Sequence, residues 1–455
     1  MHANRSISPQ INLTTGALLE GVDLGLNNGR ATFDCRQDGV WSAPRTVVEM
    51  IWYSEQSATN NTHDHIVLKL LDIVRGGEVW IRFKPYSGGS VIGDVSFTAT
   101  SIIPPNSSLR ANINFVNGLE YQAVLEVREK MSRLFQTPVD NKHRPFRTAA
   151  FAEMLSLCIG QGVGMCSPQD LCEIWPSMPD SDRRLFGFKW YELADGSGVE
   201  YLVLHLEGTS DFMATGNWWV RLERREMMDQ VAISGNQNMV IHAGSTLKHE
   251  MTFETGVHFE KVISVLRSVP IGFNTISEDC WFYASTIAHK LSMEAGDDLC
   301  ECRAEDLCEI WSGERGSQML VNRIQCFQES MESPPEYLLL NISMSKYDGR
   351  GLWVRLGKTA QLGQDEGYAL ISRNRRRLIG RESIMLADIA FEALKFGGIV
   401  AALKQTNRPK GRALAMTIRN PYLVRPVEVV RAVTGSQRFH FWVEGAMNLL
   451  DAFGH

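Results

Sequence analysis

Short apolar runs bounded by turn residues recur along the chain in nearly the same spelling. His65-Ile-Val-Leu-Lys-Leu, Tyr201-Leu-Val-Leu-His-Leu and Tyr337-Leu-Leu-Leu-Asn-Ile each read as a buried strand. Trp80-Ile-Arg-Phe, Trp219-Val-Arg-Leu and Trp353-Val-Arg-Leu read as a second strand, and the glycine-rich stretches between predict antiparallel hairpins. Asp94-Val-Ser-Phe-Thr, Gln230-Val-Ala-Ile-Ser and Gly367-Tyr-Ala-Leu-Ile-Ser alternate at period two and predict a third. The period then lengthens. Val124, Val127 and Met131 predict an amphipathic helix over 122–133, and Val262, Ile263 and Leu266 another over 260–268. Closing helices are predicted at 148–158, 281–293, 426–433 and 441–453.

The spacing of these elements is that of a repeat. Asp170-Leu171-Cys172-Glu173-Ile174-Trp175 returns as Asp306-Leu307-Cys308-Glu309-Ile310-Trp311, and Cys35-Arg-Gln-Asp with Trp41 looks like a worn copy of Cys302-Arg-Ala-Glu-Asp with Trp311. The sequence therefore predicts an α+β chain of three tandem units, each a small antiparallel sheet followed by packed helices. The boundaries fall at a loosely ordered lead-in over 1–33 and units over 34–164, 165–299 and 300–455. Leu171, Cys172, Ile174 and Trp175 are expected to form an apolar plug where one unit meets the next, with Leu307, Cys308, Ile310 and Trp311 doing the same. Unit three is expected to carry a basic helical insertion over about 373–415, with an apolar helical run from Ile384 to Leu403.

Composition adds limits. A chain of 455 residues that is 44% hydrophobic and 22% charged has the profile of a globular protein. Its net charge of −6 argues against general nucleic-acid binding. No apolar run is long enough to predict a membrane span, and residues 1–30 do not read as a secretory signal. Nine cysteines in so long a chain suit a reducing compartment, so the expected location is intracellular, in the cytoplasm.

One stretch carries possible covalent chemistry. Ser277-Glu278-Asp279-Cys280-Trp281-Phe282 places a cysteine in the first turn of a predicted helix with Ser277 as N-cap, and helix N-termini lower thiol pKa values. A sheet hairpin followed by an Asp-Cys-aromatic-Phe helix start resembles the permuted papain-like folds, the NlpC/P60 and lecithin-retinol-acyltransferase-like group, over Tyr201–Leu291. The resemblance implies a nucleophile at Cys280 and a histidine near the start of the first strand. That slot holds His65 in unit one but Tyr201 and Tyr337 in the others. Unit one has Lys142 or a near neighbour in the cysteine slot, and unit three has Phe441. No unit keeps both halves of the dyad. His205 could substitute only through a shift along its strand, and His242, His249 and His258 precede the helix.

Two readings of different class follow. The first is a non-catalytic interaction or ligand-binding protein of degenerate units, with a protein or small ligand as partner. The second is a thiol hydrolase or acyltransferase acting on amide, ester or acyl substrates from Cys280. Candidate binding residues are Trp218, if exposed, and the cluster Arg375, Arg376 and Arg377, which could meet an acidic or phosphorylated partner. Arg82, Arg221 and Arg355 are expected to face away from the buried side, solvated or paired with acids. Cys158, Cys166 and Cys172, and likewise Cys300, Cys302 and Cys308, lack paired knuckles, so no metal and no cofactor is expected.

Overall fold

The computed structural model describes residues 26–27, 30–33, 45–56, 62–72, 77–83, 95–98, 107–134, 144–175, 183–208, 216–225, 228–269, 276–294, 296, 298–311, 319–329, 336–343, 351–358, 367–406 and 429. Its class is α+β, with antiparallel strand pairing throughout the described residues. Two compact units are present: Met1–Asn112 with Gly118–Leu155, and Ile113–Asn117 with Ser156–His455. The expected division at 164–165 falls close to that between Leu155 and Ser156; the one at 299–300 lies inside the second unit.

The first unit holds β1 (Leu26–Asn27), β2 (Arg30–Phe33), β3 (Arg45–Gln56), β4 (Thr62–Asp72), β5 (Gly77–Phe83), β6 (Val95–Thr98), most of β7 (Ser107–Glu120), α1 (Tyr121–Leu134) and most of α2 (Arg144–Leu157). Strands β3 to β6 form a meander and β7 returns along β3. The lead-in expected over 1–33 is structured at its end, because β2 pairs with β6 from Ala31 opposite Phe97 to Phe33 opposite Val95.

The second unit opens with β8 (Gly164–Cys166) and α3 (Pro168–Ile174). A meander follows: β9 (Arg183–Glu192), β10 (Glu200–Gly208), β11 (Gly216–Arg225) and β12 (Met228–Ser234). A single turn, α4 (Gln237–Val240), leads to β13 (Thr246–His258), which returns along β9. Helices α5 (Phe259–Arg267) and α6 (Ile276–Met293) come next. The same order then runs again: β14 (Cys300–Arg303), α7 (Ala304–Ile310), β15 (Leu320–Gln328), β16 (Glu336–Ser343), β17 (Leu352–Lys358), β18 (Gly367–Ser372), α8 (Arg375–Leu378), β19 (Ile384–Lys395) and α9 (Phe396–Thr406).

Two sequence expectations change here. Ile384–Lys395 is a strand, and the helix begins only at Phe396. Leucine, alanine and glutamate favour helix in isolation, but pairing along β15 overrides that preference. Consequently α8, β19 and α9 stand where α4, β13 and α5 stand, and nothing described over 373–406 is an insertion. The closing helices expected at 426–433 and 441–453 lie outside the described residues except for Val429. No helix among the described residues is long and apolar enough to cross a membrane.

Strand period two divides each meander into two faces. Leu202, Leu204, Val220 and Leu222 are buried on the face that meets α6. Tyr201, Val203, Tyr191 and Ala232 are buried on the other, with Trp219 packed at the margin. The long strand β13 must bend between these layers. It does so at Gly256, whose φ is +76° and whose missing Cβ would lie 2.8 Å from Arg184 Cβ. Gly118 in β7 has φ of +73° at the corresponding point. Gly256→Ala is therefore expected to lower stability by about 1–3 kcal/mol, measured by urea unfolding; a neutral substitution would show that the bend needs no glycine.

The two copies of the six-residue motif form α3 and α7. Helix α3 starts with a full capping box, in which Ser167 Oγ accepts from the Asp170 N–H and Asp170 accepts from the Ser167 N–H. Arg303 replaces that serine before α7, and Asp306 instead accepts from Arg303 at 2.7 and 2.9 Å and meets His249 Nδ1 at 3.1 Å. Burial raises the Asp306 pKa, but these hydrogen bonds outweigh it and hold the carboxyl below its usual range. Both motif tryptophans are buried and donate from Nε1 to a buried serine, Trp175 to Ser156 at 2.8 Å and Trp311 to Ser292 at 2.7 Å. Each ring packs on the first phenylalanine of a following helix, Trp175 on Phe259 at 5.2 Å and Trp311 on Phe396 at 5.1 Å. The motif is buried as expected, and both copies lie inside the second compact unit.

Candidate functional site

Cys280 sits on α6 against the apolar face of the sheet. The helix begins at Ile276, so Ser277 lies within it and is not the N-cap; the thiol is carried past the first turn, where unpaired amides would have favoured a thiolate. The Cys280 side chain is 1% exposed and its Sγ donates to the Arg224 carbonyl at 2.8 Å. Behind it Arg224 forms a bidentate pair with Asp229 at 2.6 and 2.9 Å, and its guanidinium lies 4.5 Å from the centre of the Tyr283 ring. A cavity of about 190 Å³ opens nearby, with Cys172, Glu173, Asp229, Arg267 and Tyr283 among its walls. Cys280 is not among its described lining residues, and burial pushes the Cys172 thiol up to about 11.

His205 belongs to the other face. It pairs across the ladder with Trp219, while Arg224, whose carbonyl holds Cys280, shares its side of β11 with Leu222 and Val220. The sheet itself thus separates His205 from Cys280. His205 stacks on Trp219 at 4.2 Å, and burial holds its pKa below the usual value despite Glu207 3.6 Å away. His65 is in the first unit, 5% exposed, stacked 5.3 Å from Tyr53 and 3.1 Å from Glu55. The slot it fills has a structural use in every meander: Tyr201 stacks on Tyr191 at 5.5 Å and Tyr337 on Phe327 at 5.2 Å. An aromatic ring is what the position requires, and imidazole is one way to supply it.

Beside each stacked pair lies a buried arginine. Arg82, Arg221 and Arg355 occupy equivalent places on β5, β11 and β17, with guanidinium carbons 5.6, 5.9 and 3.8 Å from the Tyr53, Tyr201 and Tyr337 rings. They are paired with acids as expected but are not solvated. Arg82 meets Glu55 at 2.6 Å, Arg221 meets Glu223 at 3.2 Å, and Arg355 meets Glu329. Arg221 Nη1 also donates to the Val240 carbonyl at 2.8 Å and Arg355 Nη1 to that of Leu378 at 3.2 Å, fastening α4 and α8 over the face.

The second meander carries a polar network around Glu223 that the sequence reading missed. Glu223 is fully buried and lies 3.1 Å from His242 Nε2. The His242 N–H donates to the Tyr201 hydroxyl at 3.2 Å, and Tyr201 shares a 2.8 Å hydrogen bond with Ser245. The signal was the parity of Glu223, which shares a side of β11 with Arg221.

The remaining binding candidates are largely engaged within the fold. Trp218 is buried, with 5% exposure, because its parity points to the core; Trp219 is the half-buried one. Arg375 donates to Gln325 at 2.9 and 3.1 Å and lies over Trp353 at 5.3 Å. Arg377 pairs with Glu254 and, at 3.7 Å, with Asp298, and both it and Arg376 are exposed. The thiols of Cys300, Cys302 and Cys308 are pushed up by burial. Among the described residues no group of three His, Cys, Asp or Glu side chains is disposed to hold a metal ion. No family model, curated protein or solved structure matches the chain.

Proposed function

We propose that the protein is a non-catalytic interaction or ligand-binding scaffold made of three related units, each a degenerate form of the permuted papain-like plan. The observation that carries this reading is the placement of the second unit's dyad candidates, with Cys280 sealed against the Arg224 carbonyl and His205 on the opposite side of the sheet. A thiol only 1% exposed that gives its proton to a backbone carbonyl is set as a packing group, unlike the accessible, activated nucleophile that covalent catalysis uses. What recurs is structural: the stacked rings with their buried arginine, and the motif helix with its tryptophan–serine bond. Repetition of packing with loss of the dyad is the pattern of a scaffold whose surfaces do the work.

Iodoacetamide labelling of the native protein from pH 5 to 9, with sites read by mass spectrometry and Cys280→Ser as control, tests it. Cys280 is expected to stay unlabelled until the protein is unfolded. Rapid labelling in the native state with an apparent pKa well below 8 would overturn the scaffold reading and favour a thiol hydrolase or acyltransferase.

A further inference from the structure

The turns at α4 and α8 are built alike and surfaced differently. In both, an asparagine caps the turn: Asn236 accepts from the Asn238 N–H at 3.0 Å and Asn374 from the Arg376 N–H at 3.2 Å. Each asparagine donates its own N–H to a serine two residues earlier, Ser234 or Ser372, at 3.1 Å. The residue between donates to a glycine carbonyl, Gly235 to Gly160 at 2.9 Å and Arg373 to Gly296 at 2.7 Å. Each turn ends on a carbonyl held by a buried arginine, that of Val240 by Arg221 and that of Leu378 by Arg355. Leu378 is buried beneath α8 as Val240 is beneath α4. The backbone and these anchors account for the turn without its outward side chains.

The outward side chains are where the two turns part. Gly235-Asn-Gln-Asn-Met-Val-Ile-His-Ala243 holds no arginine or lysine, whereas the equivalent Arg373-Asn-Arg-Arg-Arg-Leu-Ile-Gly-Arg381 holds five arginines. Two of the five are engaged within the fold, Arg375 with Gln325 and Trp353, and Arg377 with Glu254 and Asp298. Arg373 gives one N–H to the Met293 carbonyl at 3.4 Å, and Arg373, Arg376 and Arg381 are all exposed. Among the described residues no carboxylate pairs with any of these three. A protein of net charge −6 thus gathers unbalanced positive charge on one exposed turn, whose twin folds without it.

The chemistry of a partner follows from the cations and from what surrounds them. All are arginines, whose planar forks take phosphate or carboxylate oxygens in pairs. The patch is also small and bordered by acids: Glu254 and Asp298 stand at Arg377, and exposed Glu382 follows Arg381. An extended polyanion such as a nucleic acid or an anionic membrane would meet those carboxylates and the negative charge of the rest of the molecule. A phosphate monoester instead concentrates a charge of about −1.5 to −2 and three acceptor oxygens at one point, enough to engage more than one guanidinium.

We infer that the α8 turn is a docking site for a phosphorylated segment of a protein partner, with Arg373, Arg376 and Arg381 as the residues that meet the phosphate. This deepens the reading of the protein as an interaction scaffold and rests on it. It also gives a purpose to charges that the shared turn does not use.

A peptide library with a fixed central phosphoserine and degenerate flanks, passed over the immobilised full chain, is expected to be retained about tenfold more than the matching serine library. Arg376→Asn with Arg381→Ala writes in the residues of the α4 turn. It should abolish that preference and leave the urea midpoint of the parent unchanged. Equal retention of the two libraries, or a preference that survives the double variant, would overturn the assignment. So would displacement of the phosphopeptides by single-stranded RNA at equal phosphate concentration, which would give the patch to nucleic acid. Inorganic phosphate that competes as well as the peptides would reduce it to a site for the free anion and overturn the partner. Should the double variant lose its fold, Arg376→Lys with Arg381→Lys keeps the charge and removes the fork; phosphoserine retention is expected to fall about threefold, and undiminished retention would also sink the proposal. Failure of phosphopeptide binding while Cys280 stays unlabelled would remove the docking site alone, whereas native labelling of Cys280 would overturn the scaffold reading itself.

Discussion

Replacing Trp311 with alanine is expected to lower stability by about 3–5 kcal/mol, among the largest effects of any single side chain in the molecule. The indole is 1% exposed, packs edge-on to Phe396 at 5.1 Å and lies 6.4 Å from the His289 ring. Its Nε1 donates to Ser292, a buried hydroxyl that donates in turn to the His289 carbonyl at 2.6 Å. Alanine would leave a cavity the size of an indole and remove that donor together. Trp311→Phe keeps much of the volume and loses only the hydrogen bond, so a smaller cost of about 1–2 kcal/mol is expected. Trp175→Ala should be at least as damaging, because the Arg183 guanidinium lies 4.7 Å above that ring and is itself buried deeply enough that desolvation lowers its pKa to about 9. Urea unfolding of the three variants checks the series. A loss under 1 kcal/mol for Trp311→Ala would mean that the plug can collapse around a missing indole and is not an anchor.

The strands that were legible in the sequence are those whose pattern is written in their own residues. The runs beginning at Tyr201 and Trp219 have apolar neighbours on both sides of the sheet, and their hairpins carry glycine, so local signal and tertiary role agree. β19 was misread because Ala387, Ala390, Leu394 and Lys395 are good helix formers and the information that makes them a strand lies in β15, some sixty residues earlier in the chain. The returning strands β7 and β13 were hidden for a related reason: Gly118 and Gly256 interrupt the period where each strand bends, and a glycine there reads as a turn.

The chemistry was less legible than the fold. A cysteine near a helix start reads as reactive until burial is known, and burial of Cys280 comes from the Arg224 backbone on β11, which no local motif announces. Trp218 and Trp219 had to face opposite ways, but which one reached the core depended on where α6 packs. Likewise the three arginines stood out as charges between apolar neighbours. Their meaning depends on Glu55, Glu223 and Glu329, which reach them from different strands: from β3 in the first meander, from the same strand in the second, and from the residue just after β15 in the third.

That variable partner is the basis of the second large effect, at Arg221. Glu223 is fully buried, and Arg221 Nε stands 3.2 Å from its carboxylate while Nη1 holds the Val240 carbonyl at 2.8 Å. Arg221→Met keeps the apolar stem over Tyr201 but withdraws the charge that balances Glu223, and a buried carboxylate deprived of its cation costs about 3–5 kcal/mol. The pair as a whole is worth far less than that. Both ions were desolvated to form it, so the double variant Arg221→Met with Glu223→Leu is expected to recover most of the loss and to fall within about 1–2 kcal/mol of the parent. The recovery should be incomplete, since the carbonyl of Val240 and the His242 imidazole still lose their contacts on this face. Arg355→Met, whose acid Glu329 is partly exposed, should cost less than Arg221→Met because water can solvate the stranded carboxylate. Urea midpoints for the parent, Arg221→Met, Glu223→Leu and the double variant give the coupling directly. Additive losses at Arg221 and Glu223 would show that the two side chains act independently and that the arginine is held by Tyr201 and the α4 carbonyl alone.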